Sequence, residues 1–447
     1  MERSSGSLRH LAAVPLTWHL ASLVIGAVVI LALQGSQWFF FDEWAFLKYD
    51  GPGYLDPHVG HWSTSPMLVF HAIRDGLGLG SYAPFAVAVT LVHLAVAHLT
   101  WRLAIRAGAD AWVATAAVAV LVVLGSGAEN ILWGFQIGFL GALALGLASF
   151  LIVTSPHVSW RRLVAAIAVA VFGLTWSGTV IPLVVAAAGL LWHRQGWRKA
   201  LVYAVSCGAV YLAWYVGFAL PSGHVPDTGG LDPVKVFVRI PQFLGVMLLL
   251  GWDSVFPLYG IGVAALLALA WWLVRLWRRK ERLPHLSVAL LLLGGAVVFA
   301  LMTAYSRAQW SIGAGRSSRY IYVLVVLLLP LCAVALTRLV RSRERRLVGV
   351  CAALVLLAGF QAWKLLGEAD HQATLEAHSQ ALISAAITLH AQDPASVDLT
   401  RRPDPEWAPD VTLADVLRLH ESGALPVGPF SEAELEEARM TVGAGGE

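Results

Sequence analysis

Apolar runs of about 15 to 23 residues recur along the chain, separated by short clusters of arginine, proline and acid. Since about 20 helical residues cross the hydrocarbon layer of a bilayer, the pattern predicts an all-α polytopic membrane protein with about eleven transmembrane helices. They fall near residues 18–41, 82–101, 111–125, 134–153, 162–176, 178–192, 199–219, 257–274, 286–304, 319–338 and 346–364. A further apolar run over 236–252 carries Arg239 and Pro241 and ends at Asp253. An odd number of crossings is needed between Leu220 and Arg275, so this run is read as an interfacial or re-entrant helix.

Charge orients the bundle. Arg102, Arg106, Arg161, Arg162, Arg194, Arg198, Lys199, Arg275, Arg278, Arg279, Lys280, Arg282, Arg338, Arg341, Arg343, Arg345 and Arg346 fall in alternate loops, together with Arg3 and Arg9 at the start. The intervening loops hold far fewer cations, so the positive-inside rule places the amino terminus in the cytoplasm and the carboxy terminus outside. Composition agrees: the chain is 58% hydrophobic with a mean hydropathy of +0.69. The apolar run near the start has no clean small-residue exit and is read as a retained helix. Cys207, Cys332 and Cys351 each lie within an apolar run, so a disulfide framework is not expected.

Two units follow, a membrane part over 1–366 and an acidic extracytoplasmic tail over 367–447. The tail holds 15 acidic residues against Arg401, Arg402, Arg418 and Arg439, and reads as a small outward module with a solvated surface. Its first part, to Gln392, favours helix, while 393–409 is rich in proline and aspartate and reads as irregular.

The candidate chemistry lies in the outward loops. Trp38-Phe39-Phe40-Phe41-Asp42-Glu43-Trp44 reads as an interfacial aromatic anchor that holds two acids at the lip of the bilayer. Asp42 and Glu43 open the longest outward loop, about 42–81, which also contains His58 and His61 beside Trp62. A carboxylate at a low-dielectric surface is suited to take a proton from an alcohol. The same acids and histidines could instead gather a divalent metal, although their spacing matches no standard motif. Glu129 and Gln136 bracket an aromatic turn suited to a sugar. Arg307, Arg316 and Arg319, with Tyr320, precede a late helix and form a grip for phosphate. His93 and His98, within the second helix, read as packing residues held by hydrogen bonds.

Phe41-Asp42-Glu43-Trp44, the His58 to Trp62 patch and the Arg316 to Tyr320 run together resemble the GT-C superfamily of polytopic glycosyltransferases. The resemblance implies a helical fold with the catalytic acid, Asp42 or Glu43, in the first outward loop. It further implies a polyprenyl-phosphate sugar donor and an inverting displacement at the anomeric carbon. Asp42 is then the expected general base, Glu43 positions the acceptor or binds a metal, and Arg316 and Arg319 hold the departing lipid phosphate. Glu129, Gln136, His61 and Trp62 shape the sugar site. Expected partners are the lipid-linked donor, a glycan, lipid or protein acceptor and membrane lipid, with no nucleic acid, and the expected location is a bacterial plasma membrane. The tail departs from the family in showing no carbohydrate-binding sandwich. Rival readings are a lipid-linked oligosaccharide polymerase or ligase, a transporter or flippase of envelope precursors, and a non-catalytic scaffold. An ion-coupled transporter would need titratable groups at mid-membrane, where only His93 and His98 occur.

Overall fold

The computed structural model describes residues 4–225, 230, 232–281, 283, 285–340 and 344–443, with side chains from residue 14 onward. Arg3, Arg282, Arg341, Arg343 and the side chain of Arg9, all assigned above to the inward charge, lie outside the described residues.

The chain enters on α1 (Ser4–Leu33), which closes in a tight turn over Gln34–Ser36. A long loop follows with α2 (Glu43–Leu47), a hairpin of β1 (Pro57–His58) and β2 (His61–Trp62), and α3 (Thr64–Leu77). Then come α4 (Ala83–Arg106), α5 (Ala111–Val122), α6 (Ala128–Leu132), α7 (Ile137–Val153), α8 (Trp160–Leu174), α9 (Ile181–Gln195) and α10 (Trp197–Trp214). The second half contains α11 (Ile240–Val246), α12 (Ile261–Arg278), α13 (Leu286–Arg307), α14 (Ser318–Val340) and α15 (Glu344–Gln392), and closes with α16 (Leu413–Glu421) and α17 (Glu432–Val442).

Hydrogen bonds sort the helix ends into two sets. At one end Arg194 donates to Thr154 O and Ser287 Oγ, and the Asp110 N–H donates to Thr337 Oγ1. This end carries the basic loops. At the other, Gln34 donates to Ile131 O and Leu132 O, Ser65 meets Thr175, and Trp214 donates to Leu55 O. We call this second set the site end. Asp110 caps α5 and Ser159 caps α8, satisfying N–H groups that a helix start leaves unpaired.

Nine helices among the described residues are long and apolar enough to cross a membrane, and the bent pair Ala111–Val122 with Gly125–Leu132, at 56°, makes a tenth. One of the nine, Lys235–Val255, does not run end to end. Arg239 donates to Gln309 O at its start, and Val255 O accepts from Gln361 at its finish, so both of its ends meet the site end. Asp253 turns the chain there by accepting from the N–H groups of Gly260, Gly262 and Val263. Conversely, α8 and α9 span only 15 residues each, yet each connects the two ends. With these assignments eleven helices run from end to end among the described residues, as the apolar pattern predicts, and the 236–252 run lies across the site end.

Helix α14 is buried on nearly every face from Tyr320 to Leu331, as expected of a helix apolar all round. Several polar groups inside the bundle pair with one another: Thr90 donates to Gln34 Oε1, His93 bonds Tyr322 and Val122 O, and His98 meets His19 at 3.2 Å. These histidines act in packing.

Two expectations are corrected. Trp38, Phe39 and Trp44 are no interfacial belt, being almost wholly buried in the core where they pack edge to face. Nor does the outward module stand apart from the membrane part. Helix α15 runs unbroken for 49 residues through the boundary at 366, and the tail returns onto the first loop. There Glu376 Oε2 accepts from Trp38 N–H, Leu79 N–H donates to Ala424 O, and Arg418 pairs with Asp50.

Candidate active site

The site begins at a backbone kink. Phe41 has φ of 50°, a left-handed conformation that non-glycine residues rarely adopt, and it directly precedes Asp42. Because successive residues on a helix diverge by about 100°, the two neighbouring acids at the start of α2 point apart. Glu43 turns inward and is fully buried. Its carboxylate accepts from Tyr82 Oη at 2.8 Å, Phe40 N–H at 2.8 Å and Phe135 N–H at 3.1 Å. Burial pushes the Glu43 carboxyl well above the usual carboxylate range, and these hydrogen bonds oppose the shift. Gly134 fits against this group only because it lacks a side chain: a Cβ would stand 2.7 Å from Glu43 Oε1 and 2.7 Å from Tyr82 Oη.

Asp42 points the other way, into a cavity, with Oδ1 at 3.3 Å from His58 Nε2. The hairpin sets both histidines. Val59 and Gly60 take φ of 48° and 80°, a two-residue reversal that pairs His58 with His61 across the strands. A β-branched residue at positive φ is strained, a feature that collects at functional sites. Burial, then the charges of Arg307, His58 and Arg319, push the His61 pKa down to about 4, so its ring is neutral at physiological pH. Its Nδ1 lies 3.4 Å from Ser177 Oγ.

The cavity is lined by Asp42, His58, His61, Gln136, Arg307, Arg319 and Tyr320, seven of the residues singled out in the sequence. Arg307 comes from the end of α13 and Arg319 from the first turn of α14, so the loop between these helices swings both guanidinium groups toward the first loop. Gln136 is fully buried and neither of its amide atoms has a hydrogen-bond partner among the described residues. An unpaired buried amide is costly, and this one lies on the cavity lining with its donor and acceptor unused.

Four expected residues are placed elsewhere. Glu43 is sealed beneath the loop. Trp62 stacks on Trp214 with ring centroids 5.2 Å apart and planes 3° from parallel, beside the cavity and not on its lining. Glu129 is not on the cavity lining; it pairs with Arg319 Nε at 3.4 Å and accepts from Ser317 Oγ. Arg316 faces a different cavity. Among the described residues no group of three or more His, Cys, Asp or Glu is placed to hold a metal ion. The proposed set of Asp42, Glu43, His58 and His61 is not assembled, since Glu43 turns toward Tyr82.

The tail supplies what sequence reasoning missed. Phe41 N–H donates to Trp407 O at 2.7 Å, Phe40 stacks on Trp407 with centroids 5.5 Å apart, and Lys48 Nζ donates to Asp410 O at 2.7 Å. Burial and the nearby Asp42 raise the pKa of Asp410. A strap over residues 404–411 thus closes on the turn that carries Asp42. No local motif marks these residues, which lie more than 360 positions away in sequence.

No family model matches the chain, and no curated protein matches it. Solved structures do. ArnT from Cupriavidus metallidurans bound to undecaprenyl phosphate superposes with a TM-score of 0.56 at 16% identity, over 94% of this chain and 87% of that one. The same protein in the apo state gives 0.57 at 15% identity, over 95% and 87%. A looser match, the Archaeoglobus fulgidus oligosaccharyltransferase at 0.47 and 12% identity, covers 92% of this chain and 58% of that one and adds no support. The chain therefore shares the fold of the ArnT structures.

Proposed function

We propose that this protein transfers a sugar from a polyprenyl-phosphate carrier to an acceptor hydroxyl, on the membrane face opposite the basic loops. The observation that carries the reading is one cavity with a carboxylate, Asp42, on its first-loop wall and two guanidinium groups, Arg307 and Arg319, from α13 and α14. Asp42 removes the proton of the acceptor hydroxyl as its oxygen bonds to the anomeric carbon. The bond from that carbon to the phosphate oxygen breaks with inversion, and its electrons leave on the lipid phosphate. Arg307 and Arg319 take up that charge, since guanidinium groups pair bidentately with phosphate oxygens and are worth most in a site shielded from water. His58 holds Oδ1 of Asp42 and leaves Oδ2 for the acceptor. Neutral His61 and the unpaired Gln136 amide offer hydrogen bonds to sugar hydroxyls.

The shared fold supports the donor assignment, because the ArnT structure holds undecaprenyl phosphate. The basic loops at the other end support the orientation, with the site extracytoplasmic. The reading is tested with membranes containing wild type or Asp42→Asn at equal folded levels, supplied with radiolabelled polyprenyl-phosphate sugars. Transfer to the membrane glycan fraction should fall by about 10²- to 10⁴-fold in the variant. Transfer at the wild-type rate would overturn the assignment of Asp42.

A further inference from the structure

A second polar cavity opens at the site end between the Lys235–Val255 segment, the α5–α6 bend and the start of α14. Two cations face it. Arg316 is exposed and makes no hydrogen bond or ion pair among the described residues. The Lys364 ammonium, from α15, donates to Ser126 Oγ at 2.8 Å and to Ser254 O at 3.1 Å. Of its three protons one is left over. Ser318 adds a hydroxyl, which already accepts from Glu129 N–H.

Two acids share the cavity and do not cancel this charge equally. Asp253 is buried and its carboxylate accepts three backbone N–H groups, so it is spent on the turn into α12. Glu368 is exposed on α15, one turn beyond Lys364. That leaves a guanidinium and an ammonium on the lining of one cavity, with the Glu368 carboxylate as the one exposed acid beside them, an arrangement with a positive charge in excess that is suited to an oxyanion.

The partition between this cavity and the catalytic one is thin. Glu129 pairs with Arg319 on the catalytic side, while its backbone N–H bonds Ser318 on the other. Residues 316 and 319 are at most about 10 Å apart along the chain, so the two sets of cations lie close together at the site end. The lipid phosphate of the donor is already provided for by Arg307 and Arg319.

We infer that the Arg316–Lys364 cavity seats an anionic group, phosphate or carboxylate, on the acceptor. This deepens the glycosyltransferase reading and narrows its acceptor to an anionic envelope glycan or glycolipid.

The test needs no turnover. The full chain in phosphatidylcholine nanodiscs is titrated calorimetrically with inorganic phosphate, for wild type, for Arg316→Ala with Lys364→Met, and for Arg307→Ala with Arg319→Ala. Two separable binding components are expected, and the first pair of substitutions should weaken only one of them, by tenfold or more. If folding fails with Lys364→Met, Arg316→Glu alone serves, because Arg316 supports no structural contact. Phosphate binding that is unchanged by Arg316→Glu would overturn the inference and leave the catalytic reading intact. A repeat in nanodiscs containing phosphatidylglycerol separates the sources. If that lipid displaces the phosphate from the Arg316 component, the cavity belongs to membrane headgroups and the acceptor assignment is overturned; if phosphate binding persists there, the assignment stands.

Discussion

Phe41 and Trp407, far apart in sequence, are joined by a backbone hydrogen bond of 2.7 Å at the residue immediately before Asp42. The left-handed Phe41 costs of order 1 to 3 kcal/mol, and such a turn persists only where its surroundings over-determine it. Glu43 grips Phe40 from below and the strap grips Phe40 and Phe41 from above.

Trp407→Ala removes the stack on Phe40, worth about 0.5 to 1.5 kcal/mol beyond the area it buries, and frees the strap. The turnover number should fall by up to about tenfold as Asp42 loses its fixed direction, with KM for the lipid-linked donor unchanged because Arg307 and Arg319 are untouched. Steady-state kinetics that move KM and leave the turnover number alone would place Trp407 in donor binding instead.

Glu43→Gln keeps the shape of the side chain but turns an amide N–H₂ toward a backbone donor. A lost buried hydrogen bond costs about 1 to 3 kcal/mol, so the melting temperature should drop while turnover falls far less than for Asp42→Asn. The pH dependence gives a second sign. A carboxyl whose folded pKa is raised contributes fully below its unfolded value near 4.5 and loses that contribution as pH rises toward the folded value. Wild type should therefore soften as pH rises above about 4.5, and the variant should soften less, as read by thermal unfolding in detergent.

His61 gives the opposite slope. Its folded pKa of about 4 lies below the unfolded value of 6.5, so the unfolded chain binds the extra proton first. Stability from this group is complete above pH 6.5 and is lost as pH falls toward 4, by up to about 3 kcal/mol. His61→Gln should flatten the acid limb of the melting curve between pH 6.5 and pH 4.5. An acid limb of unchanged steepness would show that the ring is not desolvated.

Gln136→Leu replaces an unpaired buried amide by an apolar group of similar size. The fold should gain stability or hold level, since the amide satisfies nothing within the protein, whereas KM for the donor should rise by about tenfold if the amide bonds the sugar. A destabilised variant with an unchanged KM would assign Gln136 to the core.

How far the sequence disclosed this arrangement depends on range. Helix positions and their common direction are written in apolar length and arginine placement, both of which the bilayer enforces locally. Asp42, His58 and Arg319 could be named because acids and unmatched cations are costly at a membrane surface and stand out there. The division between Asp42 and Glu43 could not, because it depends on a left-handed Phe41 that nothing in Phe-Phe-Phe-Asp-Glu announces. Arg316 and Arg319 look equivalent in sequence and are separated only by the way Glu129 and Ser318 pack between them. Trp407 and Asp410 sit in a stretch that reads as an irregular acidic tail, and only the long α15 brings them back over the first loop.

Sugar transfer by this site requires a lipid phosphate lying between Asp42 and the arginines of α13 and α14. The most direct measurement is the density of a polyprenyl-phosphate analogue bound to the full chain in nanodiscs. Phosphate oxygens within about 3 Å of the Arg307 and Arg319 guanidinium nitrogens, with Asp42 facing the phosphorus across the cavity, are the predicted result. A phosphate seated beside Arg316 and Lys364, with the Asp42 cavity empty, would contradict it.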